Sequence, residues 1–447
     1  MQRPGSTRGR PVPERPVRVG LIGAGKFGTM FLEQSVGSPY LQVVGIADLR
    51  PEAVREGCRR RRSAAVEFAD SPESAARSGG LWIGDDPTPL LCSDWVDVIV
   101  EATGSPTAGI DHARRALSAG CHVVMVNLEA DALAGPMLAA EARRLGRVYS
   151  LAYGDQPALV VELVDWAREC NFPVVAAGKG TRYLPSYHAV TTANVWENYG
   201  ISEAEALSAG MNPRMFTSFL DGTKSAIEMA AVANCTGLSA PEEGLSFPPC
   251  PIEALPELLK PKSAGGMLEA EGRVEVVSCL NRDGSPVVND LRWGVFVVVR
   301  APNDYVRSCF REYGMITDRS GEYAVLYRSH HFIGLELGVS ILAAALDGRA
   351  TGCPESFRAE VVAAAKRPLP AGTVLDGEGG ETVYGRLMPA ERARADGAVP
   401  IGLAHGVTLL RDLPEGAVAT RHHVGMLPSV EALGFHQAWV SPPSRPA

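Results

Sequence analysis

The most constraining feature of the sequence is a glycine-rich turn close to its N-terminal end. From residue 17 the segment VRVGLIGAGKFGTMFLEQSV has the pattern of an apolar strand, a turn with Gly23, Gly25 and Gly28, and a helix. Glycines with this GxGxxG spacing allow a tight turn, a close approach of backbone to phosphate groups, and close packing of helix on strand. Asp48 ends the next apolar run, 20 residues after Gly28, where a carboxylate would meet ribose hydroxyls. The sequence therefore predicts a dinucleotide-binding fold in this part of the chain.

Apolar runs continue to alternate with helical patterns as far as residue 150. LQVVGIA, WVDVIVEATG, CHVVMVN and RVYSLAYG each have the pattern of a buried strand followed by a turn. Such alternation is typical of an α/β fold with a doubly wound parallel sheet. We therefore expect a Rossmann domain over residues 17–150, preceded at 1–16 by a leader rich in Pro, Gly and Arg that is predicted to be disordered.

The rest of the chain changes texture twice. Residues 151–365 mix helical and strand patterns, which predicts an α+β catalytic or substrate domain, and GRVEVVSCLNRDG and RWGVFVVVRAP have the pattern of adjacent antiparallel strands. Two Leu-Pro-x-Gly turns, Leu369–Gly372 and Leu413–Gly416, each precede a short β-rich run. They predict a small C-terminal β-rich domain over residues 366–440.

Composition and charge exclude several classes of function. Of the 447 residues 46% are hydrophobic, and the formal net charge is −8. A general nucleic-acid binder needs a basic face, so we expect no nucleic-acid partner. The sequence has no apolar stretch of about 18 residues, which predicts no transmembrane helix. Its nine cysteines form no CxxC pair, which favours a reduced, cytoplasmic protein without a metal site.

Further cofactor contacts are predicted where strands end and helices begin. Asp48 favours NAD over NADP because a carboxylate repels a 2′-phosphate, although a nearby arginine, Arg50, can accommodate that phosphate. We therefore expect NAD or NADP to bind, with NAD favoured. The other predicted cofactor-binding residues follow the glycine turn or end later strands: Lys26, Phe27, Thr103, Gly104, Asn127 and Glu129.

The order of the segments VGLIGAGKFG, VVGIADLRP, VEATGSP and HVVMVN resembles homoserine dehydrogenase and related Gfo/Idh-type oxidoreductases. The resemblance is specific over residues 17–150 and looser to about residue 365. The full layout, with GDQPALVVELVDWARE, VVAAGKGT and the Leu-Pro-x-Gly tail, is similar to homoserine-dehydrogenase-like proteins that carry a C-terminal SAF domain. This resemblance implies an NAD(P)-dependent oxidoreductase that acts on a CH–OH group of a small hydroxy acid, sugar acid or polyol-derived substrate.

Candidate catalytic residues lie in the segment DGTKSAIE, residues 221–228. Homoserine dehydrogenases carry NGxDxxxK here; with the glycines aligned, Lys224 replaces the family's Asp and Glu228 replaces its Lys. The family also has an Asn-Lys segment, where this chain has Asn127 followed by Leu128 and so lacks the lysine. The swap and the missing lysine predict that the chain does not oxidise homoserine. Asp221 is predicted to be an N-cap, which makes Lys224 the third helical residue, where the helix dipole disfavours a cation. A lysine that sheds its proton readily suits a general base.

Lys179 is a second candidate for the base. It lies between glycines in AAGKGTRY, which indicates a close backbone approach to another group. Lys224 is expected to handle the hydroxyl proton, with Lys179 or Glu228 assisting, and Lys179 could instead bind a substrate carboxylate. Alternatively, Lys224 and Glu228 form only a surface ion pair. Tyr187 and His188, in LPSYH, are further candidates to line the pocket.

Other functions stay open at this stage. The same residues would serve a redox-neutral isomerase or lyase that uses bound NAD, or a nucleotide- or sugar-acid-binding protein without turnover. The expected partner is a small-molecule substrate. A homodimer or higher homo-oligomer is expected, because closed symmetric assemblies are the commonest.

Overall fold

The computed structural model describes residues 12–61, 66–208 and 210–425. Most of the predicted leader, and the end of the predicted C-terminal domain at 426–440, lie outside the described residues. The strands are β1 Val17–Ile22, β2 Leu41–Ala47, β3 Phe68–Ala69, β4 Leu81–Gly84, β5 Val98–Glu101, β6 His122–Met125, β7 Tyr149–Leu151, β8 Val174–Thr181, β9 Arg273–Ser278, β10 Val295–Arg300, β11 Tyr323–Arg328, β12 Ala359–Ala365, β13 Val374–Leu375, β14 Val383–Pro389 and β15 Val407–Thr408. The α-helices are α1 Lys26–Ser35, α2 Pro51–Arg61, α3 Pro72–Ser78, α4 Thr88–Leu91, α5 Pro106–Ser118, α6 Leu128–Arg144, α7 Gln156–Glu169, α8 Val195–Tyr199, α9 Glu203–Ser208, α10 Pro213–Leu220, α11 Thr223–Thr236, α12 Leu255–Leu258, α13 Asp304–Glu312, α14 Gly338–Asp347 and α15 Ala390–Ala395.

The chain forms two compact units. Unit 1 comprises residues up to Leu159 together with Phe332–Glu355, and unit 2 comprises Val160–His331 together with the residues from Ser356 onward. The sequence placed residues 332–355 in the middle domain, but the chain returns there to the first unit. Unit 2 contains the rest of the predicted catalytic domain, from Val160 onward, together with the predicted C-terminal domain.

Unit 1 is built on a seven-stranded sheet in the order β3-β4-β2-β1-β5-β6-β7. All of its strand pairs are parallel, as the alternating strand and helix patterns predicted. Strands such as VRVGLI are apolar because helices cover a parallel sheet on both faces. One core cluster joins the central strands to α1 and to Leu337, Ile341 and Leu342 at the start of α14. The returning segment is therefore part of this core.

Unit 2 contains a four-stranded mixed sheet in the order β11-β10-β8-β9. The predicted pairing of β9 with β10 is wrong, because β8 lies between them, parallel to β9 and antiparallel to β10. Nearly every residue of α11 is buried. This explains why SAIEMAAVAN has no polar face: a helix that is apolar all round is a core helix.

The C-terminal β-rich region begins with the β12–β14 pair. These two strands are antiparallel over seven residue pairs, from Ala359 opposite Pro389 to Ala365 opposite Val383. The two Leu-Pro-x-Gly turns also pair with each other, since Leu369 and Leu413 exchange N–H···O bonds of 2.9 and 2.8 Å. Among the described residues, no helix combines the length and apolar character that crossing a membrane requires.

Candidate active site

The glycine turn between β1 and α1 has the geometry that its sequence predicts. Gly23 has φ +92°, and a β-carbon there would lie 2.6 Å from the carbonyl oxygen of Ala102, so only glycine fits. A β-carbon on Gly28 would lie 2.6 Å from the Gly23 oxygen, so this glycine lets α1 approach the turn. Among the described residues, no neighbouring atom lies within 4 Å of a β-carbon placed on Gly25. The turn is therefore tight on its protein side and open on the other.

Helix α1 starts at this open side. Its first two residues are Lys26 and Phe27, and its N-cap, Gly25, supplies no side-chain hydrogen bond. Backbone N–H groups at such a helix start attract anions, because the N-terminal end carries partial positive charge.

Asp48 follows β2 and is held beside the glycine turn. Its Oδ2 accepts a hydrogen bond from the backbone N–H of Ala24 at 2.8 Å, and its Oδ1 accepts one from the N–H of Arg50 at 2.9 Å. Asp48 and Arg50 both border a cavity of about 110 Å³, and most of its other walls come from α1 and α2. The Asp48 carboxylate and Arg50 thus lie close together. A ribose 2′-hydroxyl would favour contact with the carboxylate, and a 2′-phosphate would favour contact with the arginine.

The loop after β5 faces the glycine turn across the centre of the sheet. From β1 the chain goes to β2 on one side, and β5 lies on the other side of β1; such a change of direction marks the ligand crevice of open α/β sheets. Thr103 and Gly104 lie in this loop. The Thr103 hydroxyl donates to Oε1 of Glu101 at 2.7 Å. Gly104 has φ +70°, and no atom of the described residues lies within 4 Å of a β-carbon placed on it.

Asn127 and Glu129 follow the next strand, β6. Asn127 is the N-cap of α6, and its Oδ1 accepts the N–H of Ala130 at 3.1 Å. Its Nδ2 donates to the carbonyl oxygen of Ser105 at 2.8 Å, so it also ties down the loop after β5. Glu129 lies in the first turn of α6 and is half-buried. Asn127 is 1% exposed, and these contacts of its side chain are to the protein itself. Glu129 keeps partial access to solvent.

In unit 2 the structure brings together two of the predicted catalytic residues. Lys179 on β8 and Glu228 on α11 form a direct ion pair, and the residues are only 6% and 5% exposed. The glycines beside Lys179 serve the fold, since β-carbons on Gly178 and Gly180 would lie 1.7 and 1.9 Å from backbone carbonyl oxygens of neighbouring segments. The close approach predicted at AAGKGTRY is thus to the protein's own backbone.

Two expectations for the DGTKSAIE segment are wrong. Asp221 is the C-cap of α10, while the N-cap of α11 is Gly222 with φ +88°, so Lys224 is the second helical residue and not the third. Asp221 is fully buried, accepts the N–H of Thr223 at 2.9 Å and pairs with Lys366 at 2.8 Å. Glu228 is buried, so it cannot belong to a surface pair. Lys224 itself is half-buried.

His188 lines a second cavity, of about 140 Å³, within unit 2. Its Nδ1 donates to the backbone oxygen of Asp221 and its Nε2 accepts from the Tyr183 hydroxyl, both at 2.8 Å. Burial lowers the pKa of His188, and its ring stacks on Tyr384 of β14 with centroids 4.2 Å apart. Both ring nitrogens form hydrogen bonds within the protein, which fixes the orientation of the ring. His188 therefore forms part of the wall of this cavity. Tyr187 does not line it.

Sequence reasoning missed Glu101, His112 and Lys366. Glu101 ends the apolar run VIVE and is fully buried, and a charged residue closing a buried strand was the available signal. His112 Nδ1 lies 3.2 Å from Glu101 Oε1. Lys366 had no such signal, because its partner Asp221 is remote in sequence.

The residues of unit 1 fit a dinucleotide. The open face at Gly25, the uncapped start of α1 and the carboxylate of Asp48 match the diphosphate and ribose of such a cofactor in chemistry and in order. In the described part of the chain, no group of three or more His, Cys, Asp or Glu side chains could hold a metal ion.

Three family models match successive segments of the chain. Residues 17–126 match "Oxidoreductase family, NAD-binding Rossmann fold". Residues 154–337 match "Oxidoreductase DRL, catalytic domain", and residues 360–425 match "SAF domain". No curated protein matches the chain significantly.

Solved structures match with low identity. A putative myo-inositol dehydrogenase from Sinorhizobium meliloti 1021 is 13% identical over 74% of this chain and 90% of its own, with a TM-score of 0.38. KijD10, a 3-ketoreductase from Actinomadura kijaniata in complex with NADP and TDP-benzene, is 20% identical over 38% of this chain and 48% of its own (TM-score 0.26). The WlbA dehydrogenase from Bordetella pertussis, in complex with NADH and UDP-GlcNAcA, is 19% identical over 39% and 47% (TM-score 0.27). The chain thus spans about half the length of the last two.

The family matches confirm the predicted α/β architecture and the predicted SAF domain. None of the matched descriptions names homoserine dehydrogenase, so that part of the resemblance stays a prediction. The chain thus combines, in this order, a segment similar to NAD-binding Rossmann oxidoreductases, a segment similar to an oxidoreductase catalytic domain and a segment similar to the SAF domain.

Proposed function

We propose that the protein transfers a hydride between a nicotinamide cofactor and an alcohol carbon, or the matching carbonyl carbon, of a small hydroxy acid, sugar acid or polyol-derived substrate. The observation that carries this proposal is the buried Lys179–Glu228 ion pair. It lies within the segment that matches an oxidoreductase catalytic domain. The substrate class is the one that the sequence resemblance implies.

The reaction needs a group that exchanges one proton with the substrate oxygen. When bound, the nicotinamide supplies or accepts the hydride at carbon. In the reducing direction, the Lys179 ammonium gives a proton to the carbonyl oxygen and becomes a neutral amine, which solvent later reprotonates. In the oxidising direction, the neutral amine takes the hydroxyl proton. A proton donor or acceptor positioned in this way contributes roughly 10²–10⁴-fold to the rate.

Glu228 positions the Lys179 side chain. It lies one and a half turns into α11, which is buried over most of its length, so the carboxylate is held on a rigid element. Lys224 remains a second candidate for the base, because it starts the same helix and is half-buried.

We further propose that L-homoserine is not a substrate. In homoserine dehydrogenases the aligned helix carries Asp and then Lys. Here Lys224 and Glu228 occupy these positions, and the lysine that meets Glu228 comes from β8. A site with reversed charges places like charge beside the amino and carboxylate groups of an amino acid, and such like-charge contacts cost several kcal/mol.

The test is a turnover screen with NAD and with NADP against hydroxy acids, sugar acids, polyols and L-homoserine. We expect stoichiometric reduction of cofactor with at least one hydroxy or sugar acid, and none with L-homoserine. Substrate conversion without net cofactor change would overturn net dehydrogenation and indicate a redox-neutral isomerase or lyase. Binding without conversion across the panel would favour a nucleotide- or sugar-acid-binding role. A kcat/KM of about 10⁴ M⁻¹s⁻¹ or more with L-homoserine would overturn the second proposal.

A further inference from the structure

A hydrogen-bonded network lies behind the loop that follows β5. Its centre is Glu101, which is 0% exposed. Oε1 of Glu101 accepts from the Thr103 hydroxyl at 2.7 Å and from Nδ1 of His112 at 3.2 Å. Because the Thr103 hydrogen is directed to Glu101, the lone pairs of its oxygen are left for other donors. Nδ2 of Asn127 and the backbone N–H of Ser105 both approach that oxygen at 3.3 Å.

The network joins three elements around residues 102–105. Glu101 ends β5, His112 lies on α5, and Asn127 caps α6. Asn127 also holds the carbonyl oxygen of Ser105 at 2.8 Å. The loop is therefore fixed from behind at its hydroxyl, at one N–H and at one carbonyl oxygen.

The network carries a cost that stability alone would not retain. Oε2 of Glu101 is buried and has no hydrogen-bond partner among the described residues. An unsatisfied buried acceptor costs roughly 1–3 kcal/mol. A β-carbon on Gly109 of α5 would lie 3.0 Å from this oxygen and 2.5 Å from Nδ2 of Asn127, so a glycine is needed for the helix to come this close. Costs of this kind concentrate at functional sites.

The position of the loop identifies what the network serves. The Ala102 carbonyl oxygen lies where a β-carbon on Gly23 would clash with it, so the loop abuts the turn that faces the cofactor's diphosphate. Asp48, on the ribose side, follows β2 on the opposite side of β1. The loop after β5 therefore borders the other half of the crevice, where the nicotinamide end extends.

We propose that Glu101 and His112 are positioning residues for the nicotinamide half of the cofactor and act through Thr103 and the backbone of residues 102–105. The inference rests on the NAD(P) chemistry of the chain and not on the identity of the substrate or of the catalytic base. It predicts that the network affects binding of the nicotinamide half and leaves binding of the adenosine half unchanged.

The experiment is calorimetric titration of Glu101→Met, Glu101→Gln and His112→Phe with two ligands. One ligand is the reduced dinucleotide, and the other is ADP-ribose, which lacks nicotinamide. If NADP binds more tightly than NAD, the 2′-phosphate ester of ADP-ribose replaces ADP-ribose. Loss of one hydrogen bond is worth about 0.5–1.5 kcal/mol. Glu101→Met should therefore weaken dinucleotide binding about tenfold, equal to about 1.4 kcal/mol, with ADP-ribose affinity unchanged. Glu101→Gln, which keeps an acceptor for Thr103, should recover most of the loss.

Asp111→Asn, an exposed neighbour on α5, is the matched control and should change neither affinity. If Glu101→Met and His112→Phe weaken both ligands in parallel and lower the melting temperature, the network only supports the fold, and the proposal is overturned. Unchanged affinity for both ligands would overturn it too. Neither readout depends on turnover, so failure of the proposed hydride-transfer reaction would leave this test intact.

Discussion

Two aspartates, one in each unit, are equally buried but differ in their partners. Asp131 on α6 of unit 1 and Asp221 of unit 2 are both 0% exposed. Asp131 accepts one hydrogen bond, from the Tyr149 hydroxyl at 2.8 Å, and its Oδ2 has no partner among the described residues. Asp221 accepts the N–H of Thr223, and its Oδ2, which like that of Asp131 has no hydrogen-bond partner among the described residues, forms an ion pair with the Lys366 ammonium at 2.8 Å.

The difference shows two ways of placing a carboxyl group in a protein interior. Burial raises the pKa of Asp131 to about 7, against a smaller lowering effect of the Tyr149 hydrogen bond, so this group tends to be neutral. Asp221 is balanced by a buried cation instead. Unit 2 repeats that solution with Glu228 and Lys179, whereas unit 1 holds Asp48 and Glu101 with neutral donors and an imidazole. Charge balance at Asp221 and Glu228 therefore depends on lysines, which single substitutions can remove.

The largest effect is expected from removing the lysine beside Glu228. Lys179→Met should lower turnover by roughly 10²–10⁴-fold, because the proton donor is lost, while dinucleotide affinity, measured by calorimetry, stays the same. Lys224→Met is the matched control and should retain most of the activity. The double variant Lys179→Met/Glu228→Gln avoids an unpaired buried charge and should stay folded and inactive. Full turnover by Lys179→Met with loss in Lys224→Met would assign the base to Lys224.

Removing the lysine beside Asp221 tests the fold in the same way. Lys366→Met should lower the free energy of unfolding of unit 2 by about 3–5 kcal/mol, since it leaves a buried charge without its partner. Arg307→Met is the control, because its 3.0 Å ion pair with Asp304 is exposed and such pairs contribute about 0–1 kcal/mol. Denaturant unfolding measures both. Equal losses in the two variants would show that burial of the Asp221 pair is energetically irrelevant.

Asp131 should make the stability of unit 1 depend on pH. Its folded pKa of about 7 lies above the ordinary value of about 3.9, so the folded state binds the proton more tightly. The free energy of unfolding should fall as pH rises from about 4 to about 7, by at most about 1.4 kcal/mol per pH unit, and then level off. Asp131→Asn should remove this slope. Asp111→Asn, on the exposed face of α5, should keep it, and an identical slope in both variants would refute the assignment.

Asp48 should have the smallest effect, on the choice of cofactor. The wild type should bind NAD more tightly than NADP, and Asp48→Ser should narrow or reverse the difference, by about tenfold or 1.4 kcal/mol. Arg50→Ser should act in the opposite direction and weaken NADP selectively. Calorimetric titration with both dinucleotides measures the changes. A wild type that prefers NADP tenfold would transfer the deciding role from Asp48 to Arg50.

Sequence reasoning succeeded where partners lie close along the chain. The glycine turn, Asp48 and the strands of unit 1 could be predicted because one βαβ repeat contains both the motif and its context. It failed where partners are distant in sequence. The insertion of β8 between β9 and β10 and the contact of Asp221 with Lys366 leave no pattern in the neighbouring sequence from which they could be predicted. The domain boundary predicted after residue 365 separates β12 from its partner β14 and Asp221 from its cation, so we expect a chain ending at Ala365 not to fold.

The return of residues 332–355 to unit 1 also bears on how the protein is made. Leu337, Ile341 and Leu342 belong to the core of the Rossmann sheet, yet they leave the ribosome roughly 180 residues after Leu159, or about 10–35 s later at about 5–20 residues per second. N-terminal domains generally fold first during translation. Here the nascent N-terminal sheet must wait, with part of its apolar surface uncovered, until most of the catalytic segment has been synthesised. Chaperone demand during translation should therefore peak before α14 emerges and decline once it has docked.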